Sequence, residues 1–118
     1  MNSIIDRLEK ATGGDRELDA AIFDIACGGL FWPENETLWV QVGWNRVPKA
    51  FTASLDAAIA LVEKMLPGWG WMVERQPNGE AEAWLDEFGA YAYGRPVQGR
   101  TPAIALLIAL FRALRGSQ

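Results

Sequence analysis

A chain of 118 residues is the size of one domain and buries roughly two-thirds of its unfolded surface, so it needs no disulfide or metal to stay folded. Half of the residues are hydrophobic and 22% are charged, which excludes a disordered chain. The formal net charge of -4 disfavours nucleic acid and anionic membranes as partners, and a single cysteine, Cys27, excludes an intrachain disulfide.

In chain order, Ile4, Ile5, Leu8 and Ala11 recur at helical spacing, with Asn2 or Ser3 as a cap, and Thr12-Gly13-Gly14 stops this first helix. Asp15 starts a second helix with Leu18, Ala21, Ile22 and Ile25 on its apolar face, ended by Cys27-Gly28-Gly29. The short link predicts that the two pack as a bent pair. Leu30 to Glu36 reads as a loop or a short edge segment broken by Pro33. Leu38 to Trp44 alternates as a strand, with Leu38, Val40, Val42 and Trp44 on one face, and Asn45 to Lys49 reads as a loop.

Thr52 or Ser54 caps a third helix running to about Leu66, with Leu55, Ala58, Ile59, Val62 and Leu66 as its core stripe. Trp69 to Gln76 and Glu80 to Phe88 read as a hairpin joined through Pro77-Asn78-Gly79. A two-residue Asn78-Gly79 turn would set Arg75 against Glu82, Val73 against Trp84, Trp69 against Phe88 and Met72 against Leu85. Both faces of that hairpin carry apolar side chains, which predicts cover on both. Gly89 to Arg100 is a glycine-rich connection, and Thr101-Pro102 opens the last helix. Ile104, Leu106, Leu107, Ile108, Leu110, Phe111 and Leu114 cover more than one stripe of it, so it lies in the core or meets a second subunit. Six tryptophans are many for this length, and the expectation is that some are in the core and some at its rim.

The order α, α, β, α, β, β, α predicts a single α+β domain over 1–118. Its architecture would be a three-layer α-β-α sandwich around a small, at least partly antiparallel sheet. The string Leu-Asp-Ala-Ala-Ile occurs at Leu18 to Ile22 and again at Leu55 to Ile59. Two starts built from the same good helix formers account for it better than a duplication. Asp6, Arg7, Glu9 and Lys10 stand where a secretory leader would be apolar, and the apolar run Ala103 to Phe111 is too short to span a bilayer. The expectation is therefore a cytoplasmic protein, and Asn35-Glu36-Thr37 is a chance match to the glycosylation sequon.

The sequence contains no histidine, which removes Ser–His and Cys–His nucleophile pairs. One cysteine cannot make a zinc site, and Cys27 reads as a small hydrophobe near a helix end. Asp86 with Glu87, Glu80 with Glu82, and Asp19 with Asp24 read as solvated charge rather than metal ligands. No cofactor or catalytic residue follows. Two constellations remain. Trp32 and Trp44 flank loops with Trp39 and Arg46 nearby, a composition found at binding hot spots and equally at the rim of a core. Arg95, Arg100 and Thr101 precede the last helix, where backbone amides and two cations could hold an anion. Arg100 stands where a Walker motif has lysine, and a capped loop with solvated arginines explains the same residues.

Three stretches together carry a family resemblance: Ile4 to Gly13 with Arg16 to Ala20, Phe51 to Ala58 running to Pro67-Gly68-Trp69, and Thr101-Pro102-Ala103. In their order and spacing the chain resembles the phage α-β-α sandwich domain, a family of small proteins of bacteriophages and prophages. Gly28 to Glu36 departs from its pattern. The resemblance implies a layered α-β-α domain in a bacterial host cell and almost nothing about activity, so it supplies no functional positions to carry over. The expected function is that of a phage or prophage accessory protein acting by contact with a protein partner or with its own copies. The alternative is a small-molecule or nucleotide binder using Arg95 and Arg100.

Overall fold

The computed structural model describes residues 2–86 and 96–116. Helix α1 spans Asn2–Lys10 and α2 spans Arg16–Cys27. A 3₁₀-helix, Pro33–Leu38, leads into the hairpin of β1 (Trp39–Val42) and β2 (Asn45–Pro48). Helix α3 (Leu55–Met65) follows, then β3 (Gly70–Arg75), β4 (Ala81–Asp86), β5 (Val97–Gly99) and α4 (Pro102–Gly116). The sheets are β1-β2 and β3-β4-β5, with all described pairings antiparallel. The protein is an α+β domain, and among its described residues no helix is long and apolar enough to cross a membrane.

Local chemistry sets the helix ends. Asp15 caps α2 by accepting from the Leu18 N–H, and Gly28 closes it at φ 61° while donating to the Asp24 carbonyl. Ser54 is the cap of α3, accepting from the Ala57 N–H, so Thr52 is free for another role. Asn2 lies inside α1 rather than capping it, and its side-chain oxygen accepts from Arg115 of α4.

Helix α4 is the centre of the molecule. Every residue from Ala103 to Phe111 is buried. One side of α4 packs on β4 and β5, and α1 and α3 pack on it in turn. Being enclosed this way requires apolar residues all round, and each large aliphatic or aromatic side chain so buried contributes about 1.5–3 kcal/mol. The apolarity of Ala103 to Phe111 is thus satisfied within the chain, and that ground for a second subunit on α4 falls away. Small residues let sheet and helix approach. Ala81 and Ala83 face α4, and a Cβ on Gly99 would come within 2.6 Å of the Ala105 nitrogen.

Several expectations are corrected. The polar segment after Trp32 is helical, because Pro33 starts a turn at a position where its missing N–H is not needed. Leu38 is the buried end of that turn, so the strand begins at Trp39 and stops at Val42. Gly43 at φ 62° reverses the chain, and Asn45–Pro48 is a strand instead of a loop. In the second hairpin the register is offset by one residue: Val73 opposes Ala83, Met72 opposes Trp84, Trp71 opposes Leu85, Glu74 opposes Glu82 and Arg75 opposes Ala81. The loop has three residues, Pro77-Asn78-Gly79. Pro77 suits the first central position of a type I turn, and Gly79 takes the left-handed conformation at φ 90°. Strand β3 begins at Gly70, and the expected Trp69–Phe88 pair lies outside the described residues, because Phe88 is not among them. Strand β5, within the expected connection, completes the sheet.

The described helices gather on the face of the three-stranded sheet that carries Ala83, Leu85 and Val97. The opposite face carries exposed Met72, Glu74 and Gln98, so a second helical layer is not found there among the described residues. None of the six tryptophans is fully buried, against the expectation of some in the core. The large core side chains are Phe23, Phe51, Phe111 and aliphatic residues.

Candidate functional site

The base of the β1–β2 hairpin is tied to the helical body by a buried polar knot. Asp19 of α2 is fully buried rather than solvated as expected, and it accepts from the Thr52 N–H at 2.8 Å, from the Thr52 hydroxyl at 2.7 Å and from Arg16 at 2.9 Å. Thr52 Oγ1 in turn accepts from the Asp15 N–H at 2.8 Å. Arg16 reaches on to the Pro48 carbonyl at 2.8 Å, at the end of β2. A buried carboxylate is tolerated because every approach to it is a donor.

The inner face of the hairpin is closed by aromatic contacts. Phe31 stacks on Phe23 of α2 with ring centres 4.7 Å apart, and Trp39 meets Phe31 edge-on at 6.3 Å. The Arg46 guanidinium lies 5.2 Å from the Trp39 ring and donates to the Phe31 carbonyl at 2.8 Å. Trp39 Nε1 donates to the Trp32 carbonyl. Arg46 and the Trp32 backbone are therefore brought together by Trp39, and Arg46 serves to hold the hairpin. Cation–π and charge-assisted bonds of this kind fix orientation while the aromatic rings supply buried area.

The outer face is different. Trp44, at the tip, is 99% exposed, and Val42 beside it is 60% exposed. Val40 and Trp32 are exposed too. Val40, Val42 and Val47 line one wall of an open groove of about 480 Å³, whose other wall is Ala50, Ser54 and Ala57 near the start of α3. Arg16, Lys49 and Asp56 border it. Scattered apolar residues on a surface need no explanation; a contiguous strand face with a projecting indole is the kind of patch that marks a contact site. The expected partner-binding residues thus divide: Trp44 and Trp32 are on the surface, and Arg46 is a brace. The sequence places Val40 and Val42 on one strand face with Trp44, but not Val47, because Asn45 to Lys49 reads as a loop.

Of the expected anion site, Thr101 is the cap of α4, accepting from the Ile104 N–H at 3.2 Å. It lines a cavity of about 460 Å³ with Thr52, Arg75 and Pro102. Arg100 is exposed and is not part of that lining, and Arg95 lies outside the described residues. Cys27, at the end of α2, donates to the Phe23 carbonyl, and burial pushes its thiol up from the ordinary range, which keeps it protonated at neutral pH. No group of three or more histidine, cysteine or carboxylate side chains among the described residues is placed to hold a metal. No family model, curated protein or solved structure matches the chain.

Proposed function

We propose that this protein acts by contact with another protein and that the β1–β2 hairpin makes the contact. The observation that carries the reading is Trp44, 99% exposed at the tip of a hairpin whose outer face is valine. Full exposure of an indole in water forgoes a large transfer free energy, and tryptophan is the side chain most enriched among residues that dominate binding. The hairpin is braced on one side by Arg46 and Trp39 and anchored below by Asp19 and Thr52, so the indole is held on a pre-organised element, which reduces the entropy lost on binding. The complementary partner has an apolar pocket for the indole. The setting we infer, a phage or prophage accessory protein in the cytoplasm of a bacterial host, rests on the sequence resemblance alone, since no family model matches.

The test is affinity capture from induced or infected cells with the native chain beside Trp44→Ser and Val42→Ser. A defined partner should be retained by the native chain and lost, by at least tenfold in affinity, by both variants. Equal retention by all three proteins would show that the hairpin is not the contact surface.

A further inference from the structure

We infer that the free edge of β1 pairs with β1 of a second copy, antiparallel, about a two-fold axis at Gln41. The inference rests on the reading of the hairpin as the contact surface and names one occupant of it.

The two edges of the hairpin are not alike. On β2, Arg46 and Pro48 point their backbone groups outward, Pro48 has no N–H, and its carbonyl is taken by Arg16. Proline and charge are the usual protections of an edge. Strand β1 reads Trp-Val-Gln-Val, with no charge and no proline, and pairs with no described strand on its other side. Its outward groups follow from the register. The Lys49 N–H donates to the Leu38 carbonyl, so Leu38, Val40 and Val42 bond to the β2 side, and Trp39 and Gln41 present their N–H and C=O outward.

A second copy fits this edge better than an arbitrary strand does. With the axis at Gln41, each Val40 opposes Val42 of the other copy, so valine meets valine on the outer face. Each Trp39 opposes Gly43 of the other copy, where no side chain competes with the ring. Gln41 opposes itself, and no like charges meet. An axis at Val40 would instead bring in Leu38, which is fully buried at the end of the 3₁₀-helix. Pairing across Gln41 also continues the valine face from one molecule into the next, which gives the exposed Val40 and Val42 apolar neighbours. Trp44 falls just outside the paired residues.

A paired edge this short belongs with small, transient interfaces, so association is read by sedimentation up to about 1 mM protein. The native chain should show a monomer–dimer equilibrium. Gln41→Pro removes an outward N–H together with the side-chain bond to the Gly43 carbonyl, and should weaken dimerisation at least tenfold while circular dichroism stays native. Should that variant unfold, Gln41→Cys in a Cys27→Ser background keeps the test open. Directly paired positions have Cα atoms about 5.5 Å apart, within disulfide range, so mild oxidation should give a covalent dimer. A native chain that is monomeric throughout and a Gln41→Cys chain that does not cross-link would overturn the inference. If Trp44-dependent capture persists in that case, the second-copy interface alone has failed; if it is lost as well, the contact reading fails with it.

Discussion

Helix α4 and the β1–β2 hairpin are both rich in apolar residues, and the fold sends them to opposite extremes of exposure. Ala103 to Phe111 are buried without exception, whereas Val40, Val42 and Trp44 face solvent. The difference lies in what surrounds each element. Helix α4 has a sheet on one side and two helices on the other. The hairpin rests on α2 and the 3₁₀-helix through its Trp39 face and leaves its valine face against an open groove. Apolar sequence alone therefore does not separate core from contact surface; the number of elements packed on the segment does.

The comparison breaks most directly at α4. Leu107 is fully buried, and Leu107→Ala should cost about 3 kcal/mol, from lost transfer energy and an unfilled cavity. Urea unfolding followed by circular dichroism measures it. A loss below about 1 kcal/mol would mean that α4 is not the packed centre described.

The next effect falls where the two regions join. Asp19→Ala leaves the Thr52 N–H without its acceptor and removes the closer acceptor of the Thr52 hydroxyl, which keeps only the Asp15 carbonyl at 3.3 Å, for a loss of about 2 kcal/mol. Arg16 is more than half exposed, so its ion pair adds little. Because Thr52 anchors the segment after β2, hydrogen exchange should quicken first in β1 and β2 and last in α4. Uniform quickening would show that the hairpin and the core open as one unit.

Gly99→Ala tests the close approach of β5 to α4. The new Cβ would meet backbone atoms of Ala105 at 2.6 and 2.7 Å, and backbone cannot give way as a flexible side chain does. A loss of about 1–2 kcal/mol in the same unfolding assay is expected, with the hairpin unaffected. Stability unchanged within error would place the sheet farther from α4.

These sites also show what could be read from the sequence. The periodicity of α1, α2, α3 and α4 is strong, and Asp15, Ser54 and Thr101 are capping residues by composition, so the helices were legible. The core role of α4 was one of two alternatives, and only its neighbours decide between them. Asn78-Gly79 announced a hairpin, but Pro77 changed the loop from two residues to three and moved every cross-strand pair. Strand β5 has three residues, too few for alternation to register. Alternation puts Val40 and Val42 on one face with Trp44, while Val47 is hidden from it, because Asn45 to Lys49 is polar and holds a proline. A two-stranded ribbon with one face open lacks the burial contrast that alternation reports.

The smallest expected change is the most telling for the comparison. Trp44 is almost fully exposed and has no other side chain to support it, so Trp44→Ala should leave folding stability within about 0.5 kcal/mol of the native chain. The same unfolding assay used for Leu107→Ala measures it, and the contrast between the two is the point. A core tryptophan truncated to alanine costs about 3–5 kcal/mol. If Trp44→Ala came anywhere near that, the indole would be a structural residue and the hairpin tip would not be a free surface. If stability is unchanged while partner capture is lost, the indole contributes to binding and not to folding, which separates the hairpin from α4 by function as well as by exposure.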